Sequence, residues 1–192
     1  MTELHRKGRV SCAAARRRVL SPFLLFLVVL FQAGPTRAEV YQTPENFLAE
    51  CFSGGAPKPD FVWLTGALAE QVRNQLGHSP QVLRLRYWAD AQRSAWILDE
   101  IGKTEPITAG IMIEDQKIAR LRVLEFRESR GAEVRHSYFT RQFEGLSLQE
   151  SGLSEKVDGI AGATLSVRAV GNMAKLALLL DRHIRQKQEP AP

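Results

Sequence analysis

Asp158-Gly-Ile-Ala-Gly-Ala-Thr-Leu-Ser166 runs directly into an amphipathic segment, Val167 to Arg185. The small pair Gly162-Ala163 lets the backbone come close to whatever lies beside it, and the Thr164 hydroxyl follows at the start of a helix. The first amides of a helix have no internal partner, and the helix dipole favours negative charge there, so the place suits a phosphate. Asp158 lies six residues before the hydroxyl. The same letters also fit a plain helix start, with Thr164 as cap and Gly162-Ala163 as a tight turn.

Downstream, two apolar rows recur at helical spacing: Val167, Val170, Ala174, Ala177 and Leu165, Ala169, Met173, Leu176, Leu180. Arg168, Lys175, Arg182 and Arg185 lie off those rows or at the end. This is a helix packed on a sheet rather than one in a membrane. Upstream, Thr43-Pro44-Glu45 opens a short helix, and Thr65 caps a second that ends at Gly77. The period then changes to two, with Leu83, Leu85 and Tyr87 alternating with Arg84 and Arg86. A polar turn, Ala89 to Arg93, leads to Ser94–Leu98 and completes a hairpin. Ile107–Ile113 and Ile118–Phe126 are a third and a fourth strand, joined by the turn Glu114-Asp-Gln-Lys117. Residues 133–143 read as a short helix with Phe139 and Phe143 on one face. Helices, antiparallel strands and a last helix make an α+β domain: a sheet of about four or more strands packed with helices, closed by the C-terminal amphipathic helix. Trp63, Trp88 and Trp96 read as core packing in or beside strands, and Arg84 and Arg86 as the solvated face of a strand.

The motif at 158–166 resembles the flavinylation motif of the FMN-binding domain family, Asp-x-x-(Ser/Thr)-Gly-Ala-(Thr/Ser), with Ala161 in place of the family's Ser or Thr. That family includes the C subunit of the sodium-translocating NADH:quinone reductase and the G subunit of the Rnf complex. Two further segments carry the likeness. Phe126-Arg-Glu-Ser-Arg-Gly131 is similar to a Ser-Glu-Thr-Pro-Gly-like loop after a strand, with Ser129-Arg130 replacing Thr-Pro. Phe139-Thr-Arg-Gln-Phe-Glu-Gly145 resembles Phe-x-x-Gln-Phe-x-Gly. The resemblance implies FMN esterified through its phosphate to Thr164 by a flavin transferase. It implies a cofactor site at Asp158, Gly162, Ala163, Thr164 and Ser166, faced across the flavin by Glu128, Ser129 and Gly131. Ser166 is the nearest competing hydroxyl. Lys103 and Thr104, just before the third strand, are candidates to meet the ring or phosphate. Gly131 is expected to allow close backbone approach to the ring.

Residues 1–18 hold six Lys/Arg and one acid, and an apolar run, Phe23 to Phe31, follows. That run is too short to span a bilayer but suits the core of an export signal, with Thr36-Arg37-Ala38 as a cleavage site and Glu39 as the mature start. An uncleaved anchor is the alternative. Arg16-Arg17-Arg18 loosely resembles a twin-arginine signal, and no Cys stands at the cleavage site for lipidation. Residues 1–38 carry seven of the 26 Lys/Arg and one of the 21 Asp/Glu, leaving 19 basic and 20 acidic. The near-neutral remainder gives no support to nucleic-acid binding. Cys51, the one cysteine beyond residue 38, reads as buried and inert in Phe47–Phe52. His5, His78, His136 and His183 lack metal-ligand spacing, so no metal is expected.

The expected organisation is a signal over 1–38, N-terminal helices and hairpin over 39–106, the FMN-binding region over 107–185, and a frayed tail over 186–192. The resemblance implies an electron carrier rather than a stand-alone enzyme, in the periplasm or anchored facing it, with a flavin transferase and a membrane-bound electron-transfer protein as partners. The other class in play is a non-redox binding or sensory module that keeps the fold without flavin. Nothing resembles a Gly-x-Gly-x-x-Gly nicotinamide fingerprint, which argues against direct NADH oxidation.

Overall fold

A computed structural model describes residues 38–188. The export signal expected over residues 1–38 lies, Ala38 apart, outside the described residues. The elements are β1 (Glu39–Val40), α1 (Pro44–Cys51), β2 (Asp60–Trp63), α2 (Gly66–Leu76), β3 (Arg84–Ala89), β4 (Arg93–Ile101), β5 (Pro106–Glu114), β6 (Lys117–Phe126), α3 (Ser137–Thr140) between two 3-10 turns, β7 (Leu148–Gln149), β8 (Gly152–Leu153) and α4 (Thr164–Gln188). An antiparallel six-stranded sheet in the order β1-β6-β5-β4-β3-β2 carries the fold, and β7 and β8 pair apart from it. The α+β architecture is therefore as the sequence indicates.

Local chemistry accounts for most boundaries. The Thr43 hydroxyl accepts from the Asn46 amide at 3.3 Å, with Pro44 at the first helical position of α1. Gly77 closes α2 in the left-handed conformation with φ of 80°. Asp115 and Gln116 take positive φ, 49° and 59°, in the two-residue turn between β5 and β6. That is the twist a tight hairpin needs.

The two faces of the sheet are covered differently. α4 lies across β4 and β5 with α2 beside it. The core on that side includes Trp96, Ile107, Ile111, Leu121, Phe139 and Met173. α1 covers part of the other face through Phe47, Leu48 and Cys51, against Ala95, Met112 and Leu124. Gly110 makes that contact possible: a Cβ there would fall 2.7 Å from the Phe47 ring. Cys51 is 1% exposed, and burial pushes its thiol up to about 11, as its apolar setting leads one to expect.

Five features depart from expectation or add to it. β2 forms an edge of the sheet in a stretch where the sequence suggested no strand of its own. Trp63, on that edge, is 58% exposed, whereas Trp96 is fully buried and stacked on Tyr87. Arg84 and Arg86 are exposed as expected, but they also lie over Phe61 and, for Arg84, Trp63. α4 runs through Gln188, past Arg185 and into the stretch expected to fray. Its inner side also buries a carboxylate: Asp181 accepts from the Ser94 hydroxyl at 2.7 Å and Arg185 Nε at 3.0 Å, and Ser94 accepts from Trp96 Nε1 at 2.8 Å. The paired donors make that burial tolerable.

Candidate functional site

A cleft of about 570 Å³ opens where three segments meet: the β4–β5 turn, the chain leaving β6, and the start of α4. Lys103, Glu128, Ser129, Arg130 and residues 162–166 line it. Segments far apart in sequence and picked out separately there are brought to one place. Leu165 also lines the cleft and was expected only as an apolar row residue.

Gly162 turns the chain with φ of 81°, and the Ala163 amide donates to the Ile160 carbonyl at 3.0 Å. α4 begins at Thr164. Its first amide with a backbone acceptor is that of Val167, bonded to Ala163 at 2.9 Å. Ala163 is thus the cap, not Thr164. Ala offers no side-chain oxygen, where a Ser, Thr, Asn or Asp cap would add about 1 kcal/mol. Among the described residues, no acceptor meets the amides of Thr164, Leu165 and Ser166. Thr164 is exposed and Ser166 only 4% exposed. A helix start with open amides, no capping side chain and an exposed hydroxyl fits a phosphate monoester, with about 0.3–1 kcal/mol from the dipole. Lys103 and Arg130 supply positive charge in the same cleft, and neither pairs with a carboxylate among the described residues.

Three expected residues sit differently. Gly131, with φ of 92°, is buried and does not line the cleft. The close approach it permits is to α4: a Cβ there would fall 2.4 Å from Ser166 Oγ and 3.5 Å from the Ala163 Cβ. Thr104 also does not line the cleft; it is engaged by Glu128. Asp158 is exposed and outside the lining, and its amide donates to Gln142 Oε1 at 2.8 Å. Gln142 thus holds the loop that leads into the 158–166 motif. Its signal in the sequence was a polar residue set between Phe139 and Phe143, which are both buried and meet edge-to-face at 5.4 Å.

The Glu128 carboxylate accepts from the amides of Lys103, Thr104 (2.6 Å) and Glu105 (2.9 Å), and from the Thr104 hydroxyl at 3.2 Å. Partial burial opposes its charge, but these donors outweigh it and hold the carboxyl below the ordinary range. A depressed carboxyl stabilises the fold above its unfolded value, about 4.3. That contribution is lost as pH falls through the folded value. A titration followed by NMR should therefore show the amides of residues 103–105 moving together, below pH 4.3. Amides that move at or above that value would contradict the assignment.

A second cleft, about 490 Å³, lies between β2 and the C-terminal part of α4, lined by Asp60, Trp63, Tyr87 and His183 among others. It contains none of the residues the motifs single out.

Residues 102–179 match the model of the FMN-binding domain family, from the β4–β5 turn through most of α4. No curated protein matches the chain.

Proposed function

We propose, from the match of residues 102–179 to the FMN-binding domain family model, that the chain is an exported electron carrier holding FMN as a phosphoester of Thr164. A flavin transferase loads it, and a membrane-bound redox protein is its electron-transfer partner. The observation that carries this reading is the exposed Thr164 hydroxyl, at the first position of a helix whose opening amides meet no acceptor among the described residues, in a cleft with Lys103 and Arg130. In loading, the Thr164 Oγ1–P bond forms as the hydroxyl gives up its proton and an activated flavin phosphate gives up its leaving group. The resulting diester keeps one negative charge, which the open amides and the two cations are placed to meet. FMN supplies the electron chemistry, while the protein supplies attachment and the electrostatics around it. Covalent attachment suits an exported carrier, since a free cofactor would be lost by diffusion. Among the described residues no helix is long and apolar enough to cross a membrane.

The full chain, expressed with a flavin transferase and recovered from the exported fraction, is expected to keep its yellow colour and flavin fluorescence after denaturation. N-terminal sequencing should begin at or near Glu39. A colourless denatured protein overturns covalent attachment and favours the non-redox module. A full-length product in the cytoplasm overturns export, and one in the membrane identifies an uncleaved anchor.

A further inference from the structure

We propose that Glu128 is a positioning residue that holds the β4–β5 turn by its backbone, so that the Lys103 ammonium is left unneutralised to face the anion in the cleft. The proposal rests on the flavin reading only for the identity of that anion.

Three consecutive amides, of Lys103, Thr104 and Glu105, converge on one oxygen of Glu128, and the Thr104 hydroxyl reaches the other. Successive amides arranged this way form a nest that binds anions. Here the anion is internal. Gly102 gives it room: a Cβ there would lie 3.0 Å from Glu128 Oε1 and 3.2 Å from Ile107 Cδ1. Glu128 and Lys103 line the same cleft, yet their side chains form no ion pair within 4.0 Å. Glu128 directs its acceptor capacity at the backbone amides and the Thr104 hydroxyl rather than at the Lys103 ammonium.

Two consequences follow from that geometry. The turn is fixed with its lysine at the cleft, and the charge of that lysine stays available. The nest itself is filled, which leaves the opening amides of α4 as the anion site in the cleft lining. Glu128 therefore keeps its own nest from competing with those amides for an incoming phosphate and keeps Lys103 at the cleft with Arg130.

Hydrogen exchange on the flavin-free full chain tests the nest. Glu128→Ala should speed exchange of the residue 104 and 105 amides by about tenfold or more, the loss expected for hydrogen bonds to a charged group. Glu128→Gln, which keeps an oxygen acceptor, should restore part of the protection, and Lys103→Met should change nothing there. The Lys103 side-chain methylene signals, identified by their loss in Lys103→Met, should be dispersed in the wild type and collapse toward free-lysine values in Glu128→Ala. On flavin-loaded protein, Lys103→Met should lower the midpoint potential, and this shift should at least halve in the Glu128→Ala background. Unchanged exchange, undisturbed Lys103 signals, or an equal potential shift in both backgrounds overturns the proposal. If no flavin loads, the flavin reading fails, while the exchange and Lys103 signals still decide the positioning role.

Discussion

Thr164→Val should abolish flavin attachment while leaving the fold in place. Valine matches threonine in shape, and the two differ little in helix propensity. The residue is exposed, and no described group depends on its hydroxyl, so the substitution removes the acceptor oxygen and little else. With a flavin transferase present, intact mass spectrometry should show one FMN-phosphoryl addition in the wild type and none in Thr164→Val. Thr164→Ser, which restores a hydroxyl at the same position, should regain it. The competing acceptor is Ser166, but its side chain is buried under Gly131, so its modification would require that contact to open. An adduct that persists in Thr164→Val and maps to Ser166 would overturn both the register of the motif and the packing argument.

The second large effect is expected at Gly131→Val. The residue has φ of 92°, a conformation a β-branched side chain resists, and a Cβ would meet Ser166 Oγ at 2.4 Å and Ser166 Cβ at 3.3 Å. Backbone strain and overpacking each cost about 1–3 kcal/mol, which together make about 2–6 kcal/mol. The urea midpoint should fall accordingly. Because the clash falls on the first turn of α4, flavinylation of Thr164 should fall with it. Gly131→Ala keeps the clash with less bulk, and adding Ser166→Ala removes the nearest atom, so that pair should recover part of the loss. A Gly131→Val protein with unchanged midpoint and unchanged loading would mean that the 127–131 loop does not rest on α4.

Several parts of this architecture follow from the chain alone. Caps at Thr43 and Gly77, alternation in β3, and helical spacing from Val167 onward are local signals, set by backbone conformation and by which side of an element is apolar. The helix start at Thr164 was legible for the same reason: Gly162, Ala163 and Thr164 are neighbours, and their reading needs only the physics of a helix start. The polar pairs were not legible. Nothing local in Asp181 marks it as fully buried, because its tolerance depends on Ser94 and Arg185 arriving beside it. Trp63 is exposed because it points to the opposite side of β2 from the buried Val62, and which side of so short a strand will be covered is invisible in four residues.

The site itself divides in the same way. From sequence, Glu128 belongs with Ser129, Arg130 and Gly131 as a loop near the flavin, and Gly131 is the residue that lets the ring approach. The register of β6 against β5 changes that. It shifts between Thr108 and Ala109 and again between Met112 and Ile113, and each extra residue reverses the side to which the following ones point. Ile118 and Phe126 can then both face α4, although strict alternation from Leu121 and Val123 would turn each of them away. The chain leaves β6 with Gly131 pressed on Ser166 and with Glu128 turned to the amides of residues 103–105. Sequence determined that a hydroxyl stands at the mouth of a helix, because that depends on adjacent residues. Which cations face that hydroxyl, and that Glu128 holds a turn more than twenty positions away, was decided by strand register and packing, which arise only when distant segments meet.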